Sequence, residues 1–302
     1  MSIYKVGNQN IDGLIPDTRG ERAFPSNELG YHTLEPNNPP EQEAKQGAND
    51  FSGTDPFIML DHIGPSKMPA NWHLSGDHGI HPHRGFETIT FMFKGNLHHL
   101  DTVFTARPLL TNGSVQQMNA GKGIRHGGDF WADEHSGEFH EVQLWVNLPA
   151  HEKMSEPYVR NYNADHIPHI GLDNLQLRLI AGTYQDHTGP VQTFADIRVL
   201  HGTLTSDNDQ ANSRISLDLK QSSQFLFVMT GEMKINDTLV GSGETLILKD
   251  LNEICLSGQT HSQFLLLSGT PWQQPIATGG PFVMNTKTQI QQAFADAKRG
   301  VF

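Results

Sequence analysis

Short apolar runs separated by turn residues recur along most of this chain, and that rhythm restricts it to a mainly β architecture. ETITFMFKG (87–95), LHHLDTVF (97–104), VQQMNAG (115–121) and EVQLWVNLP (141–149) follow one another in the first half. In the last of these, Val142, Leu144, Val146 and Leu148 alternate with Gln143, Trp145 and Asn147, the period-two pattern of a half-buried strand. DPFIMLDHIGP (55–65) reads as a further strand, ended by Gly64-Pro65. The stretch 150–172 is polar, is broken by Pro157 and Pro168, and reads as a linker. Strands then resume with LQLRLIAG, QFLFVMTGEMKI, TLVGSGETLIL, NEICLSG and QFLLLSG. The expectation is two successive β-rich units, 1–150 and 151–302, each a sandwich or barrel. The first 50 residues are loop-rich, and 33–50 reads as an exposed excursion.

One helix interrupts this pattern. In TKTQIQQAFADAKRG, Ile290, Ala293, Phe294 and Ala297 fall at i, i+3, i+4 and i+7. Asn285 or Thr286 can cap its start, and Gly300 stands where a helix ends. Its apolar stripe is expected to pack on a neighbouring sheet.

Composition narrows the function classes. A net charge of -12 argues against a broad grip on nucleic acid, which needs clustered Lys and Arg, and leaves binding to another protein open. No stretch of about 18 apolar residues occurs, the length a membrane helix needs. The start, MSIYKVGNQN, lacks a basic-then-apolar leader, so a cytoplasmic location is expected. The single cysteine, Cys255, cannot form an intrachain disulfide and reads as a buried small hydrophobe.

The chemistry is concentrated in HPHRGFETITF, residues 81–91. On an extended strand, side chains at i and i+2 share a face, so His81 and His83 aim two imidazoles into one space. Pro82 favours extension of the residue before it. His78 would face the other way. Two same-side imidazoles are half of a site for a borderline divalent metal. Downstream, AGKGIRH ends at His126, where a tight glycine turn can deliver a third imidazole from a facing strand. His-x-His followed by Gly-x-x-His is the general pattern of the cupin superfamily.

The chain resembles the pirin family. DPFIMLDHIGP, HPHRGFETIT, MNAGKGIRH, VQLWVNLP, EKMSEPYV, IPHIG and GGPFVMNT are similar to signatures of that family and stand in its order. The resemblance implies an all-β bicupin: two cupin domains with a C-terminal helix, the metal held in the N-terminal domain alone. It further implies a mononuclear divalent metal, iron first and other divalent metals as alternatives, with His81, His83 and His126 as ligands. The absence of any His-x-His between Leu175 and Pro271 agrees with a metal-free second domain, where His261 reads as a surface or turn residue.

The sequence departs from the family pattern at one place. The family's third histidine is followed two residues later by a glutamate, the fourth ligand and the natural base; here that position is Gly128. Water, Glu87, Asp129 or His140 are the candidate replacements. Glu87 lies four residues from His83 and would share its face on a regular strand, so it is also the candidate base. Arg84 is the candidate for stabilising an anionic substrate, with a salt bridge or loop clamp as its alternative role. By resemblance the activity is that of a quercetinase-like dioxygenase acting on a small aromatic, flavonol-like substrate. The alternative is a non-enzymatic, metal- or redox-dependent partner of a transcription regulator or metabolic enzyme.

Overall fold

The computed structural model describes residues 53–302, other than 76–78, 105–107, 206–212, 219 and 237, together with the backbone of three strands before residue 53. The proposed excursion at 33–50, and His78, lie outside the described residues.

Each half of the chain forms a large sheet backed by a smaller one. The first large sheet has seven strands, and its centre is Phe86–Lys94 between Val115–Asn119 and Glu138–Asn147, with Phe57–Lys67 beyond. Facing it is a smaller sheet of His73–Leu74, Ile124–Trp131, Asn96–Asp101 and Leu109–Leu110, to which His81–His83 is added on Ile124–Trp131. The second half repeats the plan with a seven-stranded sheet centred on Ser223–Thr230, Gln263–Gly269 and Ile197–Leu204, and a four-stranded sheet containing Glu253–Gly258. This is the all-β bicupin architecture expected, with a C-terminal α-helix at Lys287–Lys298.

Several local expectations need correction. The strand beginning at Phe57 does not stop at Gly64-Pro65 but runs on to Lys67. Glu138–Asn147 is not half-buried. Its Val142, Leu144 and Val146 enter the core between the two large sheets, and its Trp145 and Asn147 are also buried. Two-sided burial arises because the large sheets pack back to back. Phe57, Leu60, Ile89, Phe91 and Leu144 form one core with Val199, Phe225, Phe227, Leu265 and Leu267, and the rings of Phe57 and Phe225 meet edge-on at 6.1 Å. Cys255 is half-buried, since Ile254 and Leu256 on either side take the inward face.

The chain also exchanges edges. Tyr158–Tyr162 pairs with Val115–Asn119 in the first large sheet, His169–Leu172 pairs with Leu175–Ala181 in the second, and Ser2–Val6 pairs with Thr245–Lys249. The stretch 150–172 is therefore built into both sheets as it crosses. The helix is capped as its sequence predicts: Thr286 accepts from the Gln289 N–H, and Ile290 and Ala293 are buried.

Candidate metal centre

The His81–His83 strand pairs antiparallel with Ile124–Trp131, and His81 stands directly opposite His126. Alternation then brings all three imidazoles to the inner face of the first barrel. Ring centroids are 4.6 Å apart for His81 and His83, 4.6 Å for His81 and His126, and 4.9 Å for His83 and His126. One nitrogen from each ring lies within 4.8 Å of the others. His83 and His126 are buried, while His81 is exposed at the opening. Phe86 and Trp145, stacked at 4.1 Å, wall off His83, each with its ring 5.1 Å from the imidazole.

Hydrogen bonds orient two of the rings. The Nδ1 of His81 lies 2.6 Å from the Gly79 carbonyl, and that of His83 lies 3.2 Å from the Pro281 carbonyl. A carbonyl can only accept, so both Nδ1 atoms carry the proton and both Nε2 atoms present a lone pair. The Nε2 atoms of His83 and His126 are buried without a hydrogen-bond partner. A buried unsatisfied polar group costs about 1–3 kcal/mol, so two side by side in a folded core call for a ligand. Burial, and then the neighbouring imidazoles, hold His83 and His126 well below the usual histidine range. Their rings are neutral, as metal ligation requires. The donor set therefore fits a borderline divalent cation.

The other candidates are placed differently. Gly128 faces the same way as His126, but a Cβ there would lie 2.2 Å from Leu97 Cδ1 and 3.3 Å from Phe130 Cε2. Leu97 and Phe130 fill the space in which a carboxylate at this position would start. Glu87 does not join the three imidazoles. Gln117 and the Tyr158 hydroxyl donate to its Oε1 at 2.9 and 3.0 Å, and the Phe194 N–H donates to Oε2 at 3.1 Å. Strand alternation puts it with Ile89 and Phe91, on the face turned to the second barrel, because the turn at Arg84-Gly85 breaks the regular strand that would have aligned it with His83. Arg84 is a clamp: its Nε donates to the Lys122 carbonyl at 2.6 Å and its Nη1 to Asp296 at 2.8 Å. His140 faces away, its Nε2 2.8 Å from that of His62. Asp129 alternates to the opposite face from His126 and Gly128.

Sequence reasoning missed five inward polar residues. On the neighbouring strand, Asp101 stands opposite His126 and His99 opposite Gly128. The two side chains are each 1% exposed, the His99 ring lies 5.5 Å from that of His126, and His99 Nε2 is 3.1 Å from Asp101 Oδ2. On the large sheet, Gln143 faces Asp61 and Glu141 faces Ile63, all turned inward by alternation. Burial, then the Asp61 carboxylate, push the Glu141 carboxyl up to about 8. The signal for His99 and Asp101 was their spacing of two in HHLD; what was lacking was the strand register that sets them against His126.

Comparison with known proteins agrees with the bicupin fold. Residues 39–146 match the family model described as Pirin, and residues 208–302 match that of the Pirin C-terminal cupin domain. A Pseudomonas aeruginosa protein provisionally named a quercetin 2,3-dioxygenase is 35% identical over 258 residues, 82% of this chain and 86% of that protein. The crystal structure of a quercetin 2,3-dioxygenase from Acinetobacter baumannii superposes with a TM-score of 0.82 at 32% identity, covering 100% of this chain and 97% of the other. An Escherichia coli pirin solved with nickel(II) shares the fold, with a TM-score of 0.60 at 18% identity over 89% of this chain and 100% of that one.

Proposed function

This chain belongs to the pirin family, and from that premise we propose that its first barrel binds one divalent metal ion through His81, His83 and His126 and uses it to oxidise a flavonol-like substrate with dioxygen. The observation that carries the reading is the convergence of three imidazoles with buried, unpartnered Nε2 atoms on two of them. Iron is the ion the resemblance favours. When bound, such an ion supplies a Lewis acid for a substrate hydroxyl oxygen and, as iron, a redox-active centre.

The chain's own residues supply the rest. Ile80 beside His81, and Val103 and Phe104 beyond Asp101, are exposed at 42%, 45% and 39%. Exposed apolar side chains next in sequence to the polar centre suit a planar aromatic molecule with one chelating edge. Phe86 and Trp145 keep water from the inner side of His83. With no side chain at Gly128 and with Glu87 held elsewhere, the His99 and Asp101 pair is the acceptor for the hydroxyl proton. Asp101 Oδ2, 3.1 Å from His99 Nε2, would stabilise the charge once the pair holds that proton.

The test is metal content followed by turnover. Protein loaded with iron(II) should retain close to one equivalent, and His126→Ala should retain none. Loaded wild type should consume quercetin together with dioxygen. Intact metal without quercetin consumption would move the reading to a metal-dependent protein partner.

A further inference from the structure

The last 26 residues of the chain belong to neither barrel, yet they touch both strands that carry the imidazoles. Ala277–Gly279 and Phe282–Met284 form a two-stranded ribbon, and its turn places the Pro281 carbonyl on His83 Nδ1 at 3.2 Å. The next peptides continue the contact. The Val283 N–H donates to the Arg84 carbonyl at 3.0 Å, and a Cβ at Gly85 would lie 2.0 Å from the Val283 carbonyl oxygen. Gly85 has φ of +86°, so glycine is required here by both backbone shape and the closeness of the ribbon. Buried Lys153 fixes this junction by donating to the carbonyls of Gly85 and Val283 at 2.8 and 2.9 Å and to Asn147 at 2.7 Å.

The helix and the final residue close a second grip. Asp296, near the end of the helix, accepts from Arg84, the residue after His83, and the pair is largely buried. The guanidinium also lies 4.4 Å from the centre of the Phe302 ring. Phe302 in turn lies flat against Gly123, where a Cβ would come within 2.3 Å of the ring. Gly123 directly precedes the strand that carries His126. The C-terminus thus contacts the His83 strand through Pro281 and Asp296, and the His126 strand through Phe302.

We infer that the C-terminal segment is a positioning element of the metal centre, one that fixes the ring orientation of His83 and the spacing between the two ligand strands. Pro281, Asp296 and Phe302 act through His83, Arg84 and Gly123 and touch no reacting atom. The inference rests on the reading that the three imidazoles bind a divalent cation. Outer contacts of this kind typically alter metal affinity about 10–100-fold.

Nickel(II) binding to the full-length protein, measured by competition with a chromophoric chelator, tests it. Phe302→Ala and Asp296→Asn should each weaken nickel binding about ten-fold or more, while Asp296→Glu should recover part of the loss and Gln291→Ala, on the exposed side of the helix, should change nothing. Thermal unfolding of each variant separates this from general loss of fold, as does the ring Nδ1–H proton resonance of His83. That resonance should shift or exchange faster in Phe302→Ala and Asp296→Asn, which a merely stabilising tail would not produce. Unchanged nickel affinity in both variants beside a wild type that binds would overturn the inference alone. A wild type that binds no nickel would sink the metal reading and this inference with it.

Discussion

The two barrels share a plan and differ in what they turn inward. In the second, Leu177, Leu200, Leu226, Ile254, Leu256, Phe264 and Leu266 belong to one apolar core, and Gly202 makes room for the Phe264 ring, which lies within 2.1 Å of where a Cβ would stand. In the first, the corresponding inward faces carry His83, His126, His99, Asp101, Asp61, Glu141 and Gln143, and Met92, Leu97, Leu110 and Phe139 form a small apolar plug at one end. Period-two alternation makes this divergence simple. Every second residue can be exchanged for a polar one while the other face still holds the core between the sheets. The second barrel contributes burial; the first has given up part of that burial for a site. On the proposed reading, function sits in inward positions rather than in the fold.

The largest effect that would test this division lies in the second barrel. Phe264→Ala removes the ring that fills its centre and should cost about 3–5 kcal/mol of unfolding free energy in urea titration, with nickel affinity of the folded protein unchanged. A marked loss of metal binding would mean that the barrels are not separable in role. Next is His126→Ala, which removes one ligand and one of the orphaned nitrogens. Metal affinity should fall at least about 100-fold, equivalent to roughly 2.7 kcal/mol, with little change in stability of the apoprotein. Equal retention of metal by this variant would remove the distinction between the barrels.

The pH dependence of stability should also separate them. Glu141 has a folded value of about 8, above the ordinary carboxyl value of 4.5, because burial and Asp61 disfavour its charged form. A raised value means that its contribution is complete below 4.5 and is lost as pH climbs through 8. Wild type should therefore lose up to about 1.4 kcal/mol per pH unit across this window, and Glu141→Gln should show a flatter profile in urea titrations from pH 5 to 9. Parallel profiles would mean that Glu141 is already charged at neutral pH.

Much of this was legible beforehand, for physical reasons that differ by element. His81, His83 and His126 could be read because strand alternation and a glycine turn constrain where rings point. The C-terminal helix could be read because its stripe, cap and terminal glycine agree with one another. Glu87 misled because a regular strand was assumed through Arg84 and Gly85, whose turn reverses the face. His99 and Asp101 were passed over because their meaning depends on which residue of Ile124–Trp131 they oppose, a fact of pairing register. Arg84 could not be resolved locally, since its partners Asp296 and Phe302 lie over 200 residues away.

The smallest effect concerns Gly128, where the resemblance to the pirin pattern implies a glutamate. Gly128 lies beside Leu97 Cδ1, the mobile end of a side chain, so Gly128→Ala should cost only about 1 kcal/mol as Leu97 shifts. Restoring the carboxylate is a sharper question. If Leu97 and Phe130 occupy its space, Gly128→Glu alone should not tighten nickel binding, because its side chain must first displace apolar neighbours and be buried uncompensated. Combined with Leu97→Ala, it should reach the three imidazoles and tighten binding by about ten-fold, the increment expected from one charged ligand acting in a buried site. Should Gly128→Glu tighten binding to the same degree with Leu97 in place, the plug would be no barrier, and the glycine would be a loss of ligand rather than part of a repacked wall.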